Sequence, residues 1–229
     1  AAGSALIAGQ IVSGQVIRLT YDGTGFRLYS AVADIADTLD QAIIDLLATP
    51  IIQTIWIPGA TMFPSISPLA PPNSFIVERN LVSGGTEANI PQFVNLGLAV
   101  GDSAQFTLAF PNGWNLGTVT FQPYWMIATE LVITGTKAKF QLAGVAMSSA
   151  QALSQAFGTA VGVEQTVASP VAYTQYIGSV SAAVTLANTP AAGDLCYFKV
   201  TRVAASSDDF PGDLTLLGVR LVFSETLST

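Results

Sequence analysis

The chain has 229 residues, room for one large domain or a domain with a smaller appendage. Half are hydrophobic, only 10% are charged and the mean hydropathy is +0.52, against about 25% charge in a typical soluble domain. With a net charge of −7 and eight scattered basic residues, only Lys137 and Lys139 standing close, the chain lacks the clustered cations that nucleic acid requires.

Low charge fits either a membrane protein or a soluble one that buries surface against its own copies. The most apolar run, "AIIDLLATPIIQTIWIP", is interrupted by Asp45, Pro50 and Gln53, short of the roughly 20 apolar residues a spanning helix needs. No signal peptide pattern opens the chain. The expectation is a soluble oligomer without membrane insertion. The single Cys196 allows neither an intrachain disulfide nor a cysteine-based zinc site. In "DLCYFKV" it keeps step with Phe198 and Val200, as a small buried hydrophobe would.

In chain order, residues 1–30 read as a small β-unit. "GQVIRLTYDGTGFRLYS" places two short strands around Asp22-Gly23, a strong hairpin signal. The period then changes. Val32, Ile35, Leu39, Ala42 and Leu46 alternate three and four apart, the seam of a two-heptad helix, with Pro50 at its end. Residues 31–52 are therefore expected to be a helical neck that carries oligomerisation, with an amphipathic helix on its own domain as the alternative.

Residues 53–229 read as a β-domain. Candidate strands are Gln53 to Ile57, Phe75 to Glu78, Ser103 to Phe110, Gly117 to Ile127, Lys137 to Met147, Ala172 to Val184, Leu195 to Val203 and Leu214 to Phe223, punctuated by Pro and Gly. One helical interruption is expected at "SSAQALSQAFG", with Ser148 or Ser149 as cap and Leu153 and Phe157 on one face. Strands at this spacing predict an all-β domain, a β-sandwich or a jelly roll.

The motifs "WIPGATMFP", "GTVTFQPYWMIAT", "ALSQAFGTAV" and "GDLCYFKVTRVA…LTLLGVRLVF", in this order, resemble the C-terminal domain of fibre and spike proteins of tailed bacteriophages and phage-like gene transfer particles. "GQVIRLTYDGTGFRLYS" is similar to a β-unit of phage fibre shafts. The resemblance implies a homotrimeric virion fibre, joined to other fibre, baseplate or capsid proteins, whose jelly-roll-like β-sandwich tip binds a bacterial surface glycan. A head-decorating fibre or connector without a receptor is the alternative, and a capsule depolymerase comes third.

The absence of histidine removes Ser-His-Asp and Cys-His catalysis and His-based metal sites. No phosphate-binding fingerprint is present. Glu78, Glu87, Asp102, Glu130 and Glu164 form no carboxylate-pair motif. The expectation is a non-enzyme without cofactors. Asp208, Asp209 and Asp213 in "SSDDFPGD" are weak candidates for calcium, against a solvated acidic turn.

In "GTVTFQPYW", Val119, Phe121, Pro123 and Trp125 share the parity expected of the core, and Thr118, Thr120, Gln122 and Tyr124 share the other. Pro123 calls for an edge or a bulge. Trp114, Tyr124, Trp125, Tyr173 and Tyr176 are the aromatics available to stack on sugar, with Trp114, Tyr124, Tyr173 and Tyr176 as candidate binding residues. Burial in the sandwich or a subunit contact is the preferred role of this set, which leaves recognition to the loops and to grooves between subunits.

Overall fold

The computed structural model describes residues 18–21, 23–24, 26–29, 49–64, 96–127 and 135–226. They fall into two units, within Ala1–Pro50 and within Ile51–Ser228. In the first, β1 (Arg18–Tyr21) and β2 (Phe26–Tyr29) form an antiparallel hairpin with Tyr21 opposite Phe26. Gly23, at φ +92°, takes the left-handed turn position that the Asp-Gly pair announces. The oligomerisation seam of the expected neck, Val32, Ile35, Leu39, Ala42 and Leu46, and the expected strand Phe75 to Glu78 lie outside the described residues, while the last two residues given to the neck, Ile51 and Ile52, belong to a strand of the second unit.

The second unit is a sandwich of two antiparallel sheets. Its strands are β3 (Ile51–Pro58), β4 (Phe63–Pro64), β5 (Leu96–Leu98), β6 (Ser103–Ala109), β7 (Thr120–Ile127), β8 (Lys137–Met147), β9 (Val161–Thr166), β10 (Gln175–Ile177), β11 (Leu195–Val203) and β12 (Leu214–Glu225), with a 3-10 turn at Gly59–Thr61. The first sheet runs β10-β7-β12-β3, with β5 also on β12; the second runs β4-β6-β11-β8-β9. From β6 onward the chain crosses repeatedly between the sheets, as in a jelly roll. Among the described residues no helix is long and apolar enough to cross a membrane.

Alternation along the strands fills the space between the sheets. Phe121 and Trp125 of β7, Phe140 and Leu142 of β8, Phe198 and Val200 of β11, and Leu221 of β12 are at most 1% exposed. Burying each such side chain contributes about 1.5–3 kcal/mol. Trp125 meets Phe140 across the two sheets, and its indole N–H donates to Gln165 Oε1 at 2.8 Å, so the polar end of this core residue is satisfied. Cys196 is fully buried, and burial, with Asp194 adding to it, pushes its thiol up to about 12.

β10 flanks β7 only from Tyr124 to Met126, so at Pro123 the strand is paired with β12 alone and has a local edge on its other side, in line with the expectation. β10 ends at Ile177, opposite Tyr124, and Gly178 N then donates to Pro123 O. The irregularity falls on the neighbouring strand, where the pairing of β12 with β7 slips between Leu216 and Gly218. This bulge changes the parity of β12: Leu214 and Leu216 point inward before it, Val219, Leu221 and Phe223 after it.

Two expectations are corrected. Residues 148–157 are not helical. Ser148 O accepts from Gln151 N, Ala150 takes a left-handed φ of +65°, and Leu153 is 72% exposed. The segment continues as an extended strap, with Gly158 N bonded to Gly144 O and Phe157 under the Lys199 ammonium at 5.2 Å. Nor is Ala172 to Val184 one strand. After β10, residues Gly178, Ser181 and Val184 bond to Pro123, Phe121 and Val119, so three residues advance for every two of β7 and no ladder can form. β4, β5 and β9 are strands absent from the expected set.

Candidate functional site

On the outer face of the first sheet, β3 alternates Ile55 and Ile57 inward with Trp56 outward, 46% exposed. Gly218 of β12 lies between Pro58 and Tyr124 in register. Trp56 reaches diagonally over Gly218: a Cβ there would stand 2.6 and 2.7 Å from indole carbons Cζ2 and Cη2. The indole meets the Tyr124 ring edge-on, with centroids 4.9 Å apart and planes at 80°. Ile177, 44% exposed, is the partner of Tyr124 on the far side. The result is a half-exposed apolar shelf with two rings, the kind of surface on which the apolar face of a pyranose can rest.

Arg220 and Gln122 border this shelf. Trp56, Arg220 and Gln122 are consecutive register partners across β3, β12 and β7, which places neighbouring side chains about 5 Å apart. Gln122 Nε2 donates to Gly178 O at 2.6 Å, while Gln122 Oε1 and Arg220 Nε are covered and without a partner.

Of the aromatics marked in the sequence, only Tyr124 belongs to this face. Trp114 is 5% exposed and stacks on Phe110 at 4.0 Å, inside the core; its place as a sugar candidate is corrected accordingly. Trp125 is fully buried. Tyr176 packs on Trp125 at 4.8 Å, and its hydroxyl donates to Val171 O and accepts from Val171 N. Tyr173 occupies a turn at φ +58°, its N–H bonded to Ile127 O. Trp56 was missed, although "IQTIWIP" carries the same alternation that sorted β7 correctly.

The acidic loop is tied into the fold by Arg202 and Thr136. Arg202 is fully buried, and its guanidinium donates to the carbonyls of Leu98, Phe210 and Gly212 and pairs with Asp209 at 3.8 Å. Desolvation lowers its pKa, against the opposing pull of Asp209, Asp213 and Asp102. Asp208 accepts from Thr136 Oγ1 at 2.5 Å, and its carbonyl takes the N–H groups of Thr136 and Lys137. Among the described residues no three acidic or cysteine side chains gather as a metal site.

Other described carboxylates are likewise bound up in the fold. Glu164 accepts from Ser206 N and Oγ and pairs with Lys137 at 3.5 Å, and the Ser206 bonds lead in lowering its pKa. Asp102 and Asp194 accept from the backbone N–H three residues earlier, and Glu225 accepts from Gln53. A groove lined by Gly158, Thr159, Val161, Ala183, Thr185, Leu186 and Ala187 offers neither ring nor charge.

No family model and no curated protein matches the chain. Among solved structures, similar ones include a xylan-binding module CBM15, at 11% identity over 76% of this chain and 97% of that one, with a TM-score of 0.40. TmCBM61 in complex with beta-1,4-galactotriose is 12% identical over 76% and 88%, with a TM-score of 0.29. Infectious bursal disease virus Gx strain is 10% identical over 94% and 43%, with a TM-score of 0.22. Likeness this distant carries no argument about what this chain binds.

Proposed function

We propose that this chain is the distal part of a homotrimeric phage fibre and that its sandwich binds a bacterial surface polysaccharide through the Trp56–Tyr124 face. The observation that carries the binding reading is the half-exposed Trp56 indole, laid over Gly218 and meeting the Tyr124 ring edge-on. The fibre, its trimeric state and its place on a virion rest on the motif resemblance. The activity is binding without turnover, and three moderate sites on one tip reach useful avidity together.

Interferometry of the purified 229-residue chain against bacterial surface polysaccharides tests this reading. The expected result is saturable binding to one or a few glycans, weakened at least about tenfold by Trp56→Ala, with the sedimentation of the protein unchanged. A second reading is favoured by Ile52, 63% exposed and of the same parity as Trp56 on β3: the face is a subunit contact of a structural fibre. Loss of the oligomer in Trp56→Ala, with no glycan bound by the wild type, is the outcome that selects it.

A further inference from the structure

We propose that the Trp56–Tyr124 face selects acidic saccharides, with Arg220 holding a carboxylate of the sugar whose ring rests on the aromatic pair. This deepens, and rests on, the glycan-binding reading. Its basis is the way the described cations are used. Lys137 and Lys139 stand 3.5 and 4.0 Å from Glu164. Lys199 lies over the Phe157 ring. Arg202 is enclosed by three carbonyls and Asp209. Among the described residues the Arg220 side chain has neither ion pair nor hydrogen bond, and its Nε is covered without an acceptor. In a chain with 15 acidic residues and 8 basic ones, an arginine whose side chain has neither an anion, a carbonyl nor a ring as partner differs from these four.

Its position gives the vacancy a direction. The bulge at Leu217 turns Arg220 out of the core and onto the row between Trp56 and Gln122. A guanidinium carries five donors in a planar fork, so the one free oxygen on that row, Gln122 Oε1, would leave most of them unused. A carboxylate takes two at once. In a uronic acid the carboxylate projects from the rim of the pyranose ring. A ring resting on Trp56 would present that group sideways, over the spacing of about 5 Å between neighbouring strand side chains. Shape supplies the ring contact and charge selects the sugar.

The experiment uses the full 229-residue chain against uronate-containing capsular polysaccharides, each native and carboxyl-reduced, with neutral capsular polysaccharides alongside. Wild type is expected to bind a native acidic polymer about tenfold or more tighter than its reduced form. Arg220→Gln should abolish that ratio while leaving binding to the reduced form. Arg220→Lys, which keeps a cation but loses the fork, should restore only part of it. Lys199→Gln, a charge loss on the other sheet, should leave the ratio intact.

Equal binding to native and reduced polymers, or to neutral ones alone, overturns the selectivity and leaves the glycan reading standing. So does a ratio that Arg220→Gln does not change. A sedimentation shift in Arg220→Gln without a change in ratio assigns the guanidinium to a subunit contact instead and also overturns it. Absence of binding to every polymer removes the glycan reading and this inference together.

Discussion

The Trp56 indole crosses Gly218 to meet Tyr124 edge-on at 4.9 Å, so a residue without a side chain holds two aromatic rings together on the sheet surface. The contact depends on three strands, and a single methyl group is enough to disturb it.

Gly218→Ala places a Cβ 2.6 Å from indole Cζ2 and 2.5 Å from the carbonyl oxygen of Ile57. The indole can swing away but the backbone cannot. The expected cost is about 1–3 kcal/mol, read as a lowered urea midpoint, together with loss of Trp56-dependent glycan binding. An unchanged midpoint would show that β3 and β12 can separate more freely than their register implies.

Two tryptophans should behave oppositely. Trp114→Ala empties a stacked, buried position and should cost about 3–5 kcal/mol. Trp56→Ala removes a half-exposed ring held by one edge contact and should cost about 1 kcal/mol. Denaturant unfolding of both variants decides it, and equal losses would contradict the assignment of Trp56 to the surface.

Arg202→Met leaves Asp209 and the carbonyls of Leu98, Phe210 and Gly212 without their donor in the interior. The expected loss is about 3–5 kcal/mol. Arg202→Lys should recover little of it, since one ammonium cannot span acceptors arranged around a planar fork. Full recovery by lysine would mean that charge alone matters at this position.

Glu164 should make stability depend on pH. Its pKa in the folded state is depressed, first by the Ser206 hydroxyl and backbone N–H and less by Lys137. A depressed carboxylate contributes stability that is present in full above its unfolded pKa and is lost as pH falls through the folded one. The melting-temperature difference between wild type and Glu164→Gln should therefore be constant near neutrality, shrink below the usual carboxylate range near 4.5, and close in stronger acid. A difference that grows on acidification would reverse the sign and refute the role.

Much of the sandwich could be read from alternation. The bounds of Lys137–Met147 and Leu195–Val203 coincide with the apolar pattern, and the β7 parity sorted Phe121 and Trp125 from Tyr124. Local rules failed where a segment's partners lie far away in sequence. Leu153 and Phe157 have helical spacing, but the strap they occupy is held by Gly144 and Lys199 on other strands. Trp114 and Tyr176 look like candidate sugar platforms in the sequence, and only their packing against Phe110 and Trp125 shows otherwise.

The sequence by itself determined that this chain is rich in strands, poor in charge and without histidine, because composition and a period of two need no partner to be read. Tertiary structure alone decided which surface carries the candidate site. Counted along the strand, Gly218 and Arg220 share the parity of Leu214 and Leu216, and would be core. The bulge between Leu216 and Gly218, set against a neighbouring strand that contains Pro123, reverses the faces and delivers both to the outside. A one-residue slip in pairing exchanges every side chain between core and solvent, and nothing within β12 announces it.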